Sequence, residues 1–372
     1  MSSPLGWLPP LRVDGRLGRL RDRLADSGVD AAVIVEPANV RWLTGFTGSN
    51  GTVVVLASGE VLLITDSRYA EQAPAQLADA GSSDEVEVVV ARQPAAAVAG
   101  RLEAVSRLGL EDRAAWGEQI RWSKAVAASV VPLTETVEEL RAVKDPAELA
   151  RIRAAARIAD EALAAAEPML RPGVTEAQLQ QALDDAIRAA GSSGPAYDTI
   201  VASGPNSALP HARPTERELQ AGDLVIVDVG ATVDGYRSDM TRSFVLGDPD
   251  EQAGTMLELV GRSQSAGVEA VRPGVEAGDI DGACRSVIEE AGMGEAFVHG
   301  SGHGVGLDVH ELPRVASGSS AVLEPGNVLT VEPGVYLPGL GGARVEDLLV
   351  VTSDGCRPLT CHPKTPVVPI TA

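Results

Sequence analysis

Part of this chain is written twice. Arg171-Pro172-Gly173-Val174 returns as Arg272-Pro273-Gly274-Val275, 101 positions later. The segment after each copy ends on an Ala-Gly pair, Ala190-Gly191 and Ala291-Gly292, at the same offset. Further on, GDLVIVDVG (222–230) aligns with GNVLTVEPG (326–334) at an offset of 104. A four-residue match arises by chance, but a shared order of helix, glycine, apolar strand and acid is a structural repeat. Each half reads as two helices and a strand hairpin carrying two carboxylates, Asp228 and Asp239 in the first, Glu332 and Glu346 in the second. The repeat predicts a pseudo-twofold domain with these four acids converging at its centre.

The repeat accounts for only part of 372 residues, a length beyond what one core usually holds. Residues 1–140 alternate helical and strand patterns. GRLGRLRDRLADSGVD has helical spacing and ends at a glycine; AAVIVEP, GTVVVLAS, EVLLITD, VEVVVA and RLGLED read as strands of an α/β layer. The junction RAVKDPAEL combines an N-cap (Asp145), a proline at the first helical position (Pro146) and a capping-box partner (Glu148). It predicts a long helix over 146–167 and a second domain over 141–372. The fold class expected is α/β (α+β).

In DLVIVDVGATVDGYRSDMTRSF, Asp234-Gly235 is a two-residue hairpin signal. The implied register sets position 228 opposite 241, with Asp239 as a diagonal neighbour on the same face, roughly 7 Å away. Two buried carboxylates at that separation resist ionisation unless a cation lies between them. Read alone, the pair could equally face solvent. Glu332 after VLTV and Glu346 before LLVV repeat the arrangement, at positions where solvating charges are seldom found. Four acids and an imidazole can hold two divalent ions.

HGSGHGVGLDVHE (299–311) holds three of the five histidines, and its glycines make a helix improbable. In an extended chain His299 and His303 share a side, while His310 needs a bend to join them. Taken singly, each histidine is more often structural than catalytic. The chain lacks a G-x-S-x-G elbow and an H-E-x-x-H helix. A carboxylate-rich metal site, activating water against a carbonyl or phosphoryl centre, is the chemistry left standing.

A net charge of −21 argues against nucleic acid or an anionic membrane as partner. The three cysteines, Cys284, Cys356 and Cys361, form no C-x-x-C pair. Together with the lack of an apolar leader or an 18-residue apolar run, they lead to the expectation of a soluble cytoplasmic protein with free thiols.

VDVG…SDMTR (Asp228, Asp239), HGSGHGVGLDVHE (His303), VEPG (Glu332) and RVED (Glu346) resemble, in order and context, the five metal ligands of the pita-bread metallopeptidases. NVRWLTGFTGSNG, LLITDSRYAEQA and the ELRAVKDPAEL junction resemble the creatinase-like N-terminal domain of that family's proline-specific branch, aminopeptidase P and prolidase. The resemblance implies that Asp239 and Glu346 bridge two ions, that Asp228 binds one, and that His303 and Glu332 bind the other. Manganese is the ion implied first, with cobalt or zinc as options. Glu332 would also carry a proton from water to the leaving proline nitrogen. His211 in NSALPHARP would stand near the scissile carbonyl, His310 at the tetrahedral intermediate and His299 in the proline pocket; Arg344 would support ligands and substrate. His362 receives no role and is expected at an unremarkable C-terminal surface position.

The activity implied is hydrolysis of an Xaa-Pro peptide bond. The reading leans to Xaa-Pro aminopeptidase, with Xaa-Pro dipeptidase (prolidase) as its alternative, and a homodimer or tetramer is expected. A binding protein on the same fold is the reading from another class; a lost ligand would mark it.

Overall fold

The computed structural model describes residues 6–370, which fall into two compact units, one of residues 9–141 and one of residues 142–370 with the short segment before residue 9. In the first unit a six-stranded mixed sheet runs in the order Glu87–Val90, Val61–Thr65, Gly51–Leu56, Ala31–Ile34, Arg107–Glu111, Ser129–Leu133. Its helix Arg16–Asp26 buries Leu17, Leu20 and Leu24, the stripe set by their spacing. The first strand stops at Ile34 because Pro37 opens the next helix. Ser129–Leu133 carries Pro132, which hides its strand character in sequence and which its edge position tolerates.

The second unit opens on helix α1 (Pro146–Ala166), closed by a capping box in which Asp145 and Glu148 each accept the other's backbone N–H at 2.9 Å. The repeat is visible bond by bond. Helices α2 (Glu176–Ala189) and α4 (Ala277–Glu290) are 14 residues each; between them in the chain lie strands β1 (Leu224–Asp228) and β2 (Thr241–Leu246) and helix α3 (Glu251–Ala270). The second half adds β3 (Val328–Val331) and β4 (Asp347–Val351). Gly173 donates to Leu219 O and Leu219 to Val174 O; Gly274 donates to Leu323 O and Leu323 to Val275 O. Gly173 and Gly274 both hold positive φ, 86° and 83°, where a Cβ would be strained.

Each half has its own core. In the first, α1 and α2 pack Ile158, Leu163, Leu179 and Leu183 against Val225, Val227 and Phe244. In the second, α3 and α4 pack Met256, Val260, Ile280 and Ile288 against Leu329, Val331 and Leu349. The halves meet where β2 runs beside residues 344–346: Glu346 N–H donates to Thr241 O at 3.1 Å, and Ser243 Oγ bonds both Arg344 N and Arg344 O. Across the hairpin Thr241 pairs with Asp228, the register read from Asp234-Gly235, and both turn residues have positive φ (44° and 74°). None of the helices among the described residues is long and apolar enough to cross a membrane.

His362 is a correction to the sequence reading. It is buried, only 6% exposed. Its backbone N–H and that of Cys361 donate to Asp160 on α1, its carbonyl accepts from Arg242, and its ring lies edge-on to Phe244. The proline-rich tail carries no periodic pattern to reveal this, yet Val367–Val368 joins β2 as a parallel strand and draws the residues before it onto the sheet.

Candidate metal centre and active site

The four acids occupy strand ends, where the backbone leaves the sheet and a side chain can turn inward. Asp228 is the last residue of β1, Asp239 lies two residues before β2, Glu332 follows β3 and Glu346 precedes β4. His303 comes from the short strand Gly302–Gly304, pressed so closely on β3 that a Cβ at Gly302 would run into the Thr330 carbonyl. All nine residues named from sequence line one cavity of about 550 Å³: the five above with His211, His299, His310 and Arg344.

His303 Nδ1 lies 3.0 Å from Gly304 O, and a carbonyl only accepts, so Nδ1 carries the hydrogen. Its Nε2 lone pair faces the acids, 3.3 Å from Glu332 Oε1 and 3.7 Å from Asp239 Oδ2. Asp239, His303 and Glu346 each offer an atom within 4.8 Å of the others'. Burial and the neighbouring carboxylates push Asp239 and Glu346 well above the usual carboxyl range, and burial first, then Asp228, lifts Glu332 to about 7. These acids therefore resist carrying their charges together without a cation between them. Glu346 Oε1 is buried with no hydrogen-bond partner among the described residues. An oxygen-rich donor set with one imidazole and an orphaned carboxylate oxygen fits divalent ions of the manganese, cobalt or zinc type.

The supports around this set are side chains that the sequence did not announce. Tyr197 Oη lies 2.5 Å from Asp228 Oδ1 and is also hydrogen-bonded to Asp239 Oδ1. Arg344 donates to Asp228 Oδ2 and Tyr336 Oη at 2.7 Å each, to Thr241 Oγ1 at 3.1 Å and to Pro210 O at 3.1 Å, which ties the His211 loop to the centre. Tyr336 and Tyr197 are two of only four tyrosines, in segments with no motif; their scarcity in a chain with 3% aromatics was the available signal.

The remaining histidines take distinct places. His299 gives Nδ1–H to Gly300 O (2.7 Å) and accepts from Tyr336 at Nε2 (2.9 Å); burial holds it neutral, with its pKa lowered to about 4. His310 turns back through the bend after Gly304, its ring 4.3 Å from that of His303, and burial, then His303, lowers its pKa. His211 is exposed on the cavity wall.

Known proteins match this arrangement along the whole chain. The pattern of metallopeptidase family M24 covers residues 150–353, and that of the creatinase/prolidase N-terminal domain covers 16–143. The Xaa-Pro dipeptidase of Pyrococcus furiosus is 33% identical over 93% of this chain and 97% of its own length. The structure of an Xaa-Pro dipeptidase from Bacillus anthracis superimposes with a TM-score of 0.91 at 35% identity, covering 96% of this chain and 100% of that one. That of an X-Pro aminopeptidase from Thermotoga maritima gives 0.84 at 32%, covering 95% and 99%. With both patterns satisfied and relatives aligned end to end, the chain belongs to metallopeptidase family M24, in the group that carries a creatinase/prolidase-type N-terminal domain.

Proposed function

We propose that this protein is a metal-dependent Xaa-Pro dipeptidase, a prolidase. The observation that carries the hydrolytic reading is the convergence of Asp228, Asp239, His303, Glu332 and Glu346 on one cavity in a chain of this family. The sequence alone leaned to the aminopeptidase; two of the three relatives described above are dipeptidases, and this tilts the reading to its alternative. Arg213, exposed on the cavity wall, supports the same choice, because a guanidinium there can pair with the free carboxylate of a dipeptide's proline.

In this reading Asp228, Asp239, His303, Glu332 and Glu346 would together hold two divalent ions, manganese first. Bound ions would supply Lewis acidity to the carbonyl and would acidify the attacking water. Glu332 would take up a proton from the attacking water and deliver it to the proline nitrogen, which lacks an N–H and leaves poorly unless protonated. Neutral His310 donates an N–H toward the oxyanion, and His211 toward the scissile carbonyl. His299, held neutral by Gly300 and Tyr336, presents an uncharged wall to the proline ring. A binding protein on this fold would be marked by a lost ligand, and all five stand in the cavity. We also infer a homodimer, by the resemblance alone, which sedimentation tests.

The experiment is turnover of the manganese-loaded protein on Xaa-Pro and Xaa-Pro-Xaa. Cleavage of the dipeptide alone is expected. Cleavage of the tripeptide at equal efficiency would return the aminopeptidase, and no turnover of either would remove the enzyme reading.

A further inference from the structure

Between His303 and His310 the chain makes an irregular turn, and the strand register slips at His303/Gly304. Past Val305, whose N–H donates to Val328 O at 3.3 Å, no strand pairing fixes residues 306–310, so the position of His310 depends on a few anchors. Arg237 supplies two, its N–H to Gly306 O at 2.8 Å and its Nε to Leu307 O at 3.2 Å. Glu311 supplies another: its Oε1 accepts the Asp308 N–H at 2.9 Å, and its Oε2 meets Lys144 Nζ at 3.0 Å. The two side chains of this ion pair are 1% and 5% exposed. Lys144 is itself fixed, its N–H on Gly326 O and its ammonium also 3.4 Å from Ala142 O. Any side chain at Gly306 would enter the Glu311 carboxylate, 2.6 Å from its Oε2, so the turn is moulded on that group.

A buried ion pair is a poor stabiliser, since desolvation takes back most of the attraction, and an apolar pair of similar volume often serves stability as well. What it does supply is direction, because the carboxylate must point at the ammonium. From this we propose that Lys144 and Glu311 are positioning residues for catalysis. The pair orients the Glu311 carboxylate so that its other oxygen holds the Asp308 amide, and it thereby sets the place of the His310 ring against His303. The inference rests on the assignment of His310 to the oxyanion given above.

The test compares wild type with Lys144→Met, the double variant Lys144→Met/Glu311→Gln, and His310→Asn, all manganese-loaded, on an Xaa-Pro dipeptide. Lys144→Met takes the ammonium away from the buried Glu311 carboxylate and lowers Tm. The double variant removes both charges while keeping an acceptor for Asp308, and returns Tm toward wild type. Its kcat is expected to fall roughly tenfold to a hundredfold, the cost of misplacing a group by about 1 Å, with KM within about twofold and both ions still bound. A double variant with wild-type kcat, beside a His310→Asn that has lost it, overturns the inference alone. Wild-type kcat in His310→Asn overturns the assignment beneath it.

Discussion

The hydroxyl of Thr241, at the start of β2, donates to Glu346 Oε2, at the head of β4, across 2.7 Å. Two residues 105 positions apart thus join the repeated halves at the candidate metal centre. The bond orients one carboxylate oxygen and leaves Oε1 bare toward the cluster. Thr241→Val keeps the shape and removes the donor. We expect metal affinity to fall about tenfold, in line with losses of supporting hydrogen bonds at metal sites, as read by calorimetric titration with manganese. Unchanged affinity would remove Thr241 from the support of the site.

Glu332→Gln keeps the volume and an oxygen donor but cannot take up a proton. Hydrolysis of Xaa-Pro should drop by about two to four orders of magnitude in kcat, the span of general acid–base catalysis. Activity within threefold of wild type would take the proton transfer away from this residue.

Arg213→Gln removes a positive charge from the cavity wall without touching the acids. KM for an Xaa-Pro dipeptide should rise about tenfold, as for loss of one charge-assisted contact. The same substrate with its carboxylate amidated should bind wild type and variant alike. Equal effects on both substrates would show that Arg213 does not read the carboxylate.

His299 is expected to stay neutral down to about pH 4. Its folded pKa lies below the unfolded value of 6.5, so the unfolded chain takes the proton first. The stability it contributes is complete above pH 6.5 and is lost as pH falls toward 4, a change on the order of 3 kcal/mol. Nitrogen chemical shifts of the ring across this range check it directly. A midpoint near 6.5 would mean that the Gly300–His299–Tyr336 chain does not hold in solution.

Much of this was legible because it was written with a period or a spacing. The duplicated Arg-Pro-Gly-Val turns became matching helix starts, and Asp234-Gly235 gave the pairing of Asp228 with Thr241. The nine site residues could be named because their segments resemble a family, and the structure gathers all nine around one cavity. Tyr197, Tyr336 and Thr241 escaped for a physical reason. A hydrogen-bond support needs only a polar atom within about 3 Å of a site side chain, and a chain fold can deliver it from any sequence distance. Burial of His362 was missed likewise, since the contacts that enclose it come from Asp160 and Arg242, far away along the chain.

The two halves of the catalytic unit have separate cores, and the seam between them carries the acids of both. Each half can pack its own interior, but closing the seam brings like charges together. A divalent ion at the seam would act as a rivet, turning the repulsion among these acids into attraction. Loading the ions would then tighten the seam as well as arm the site.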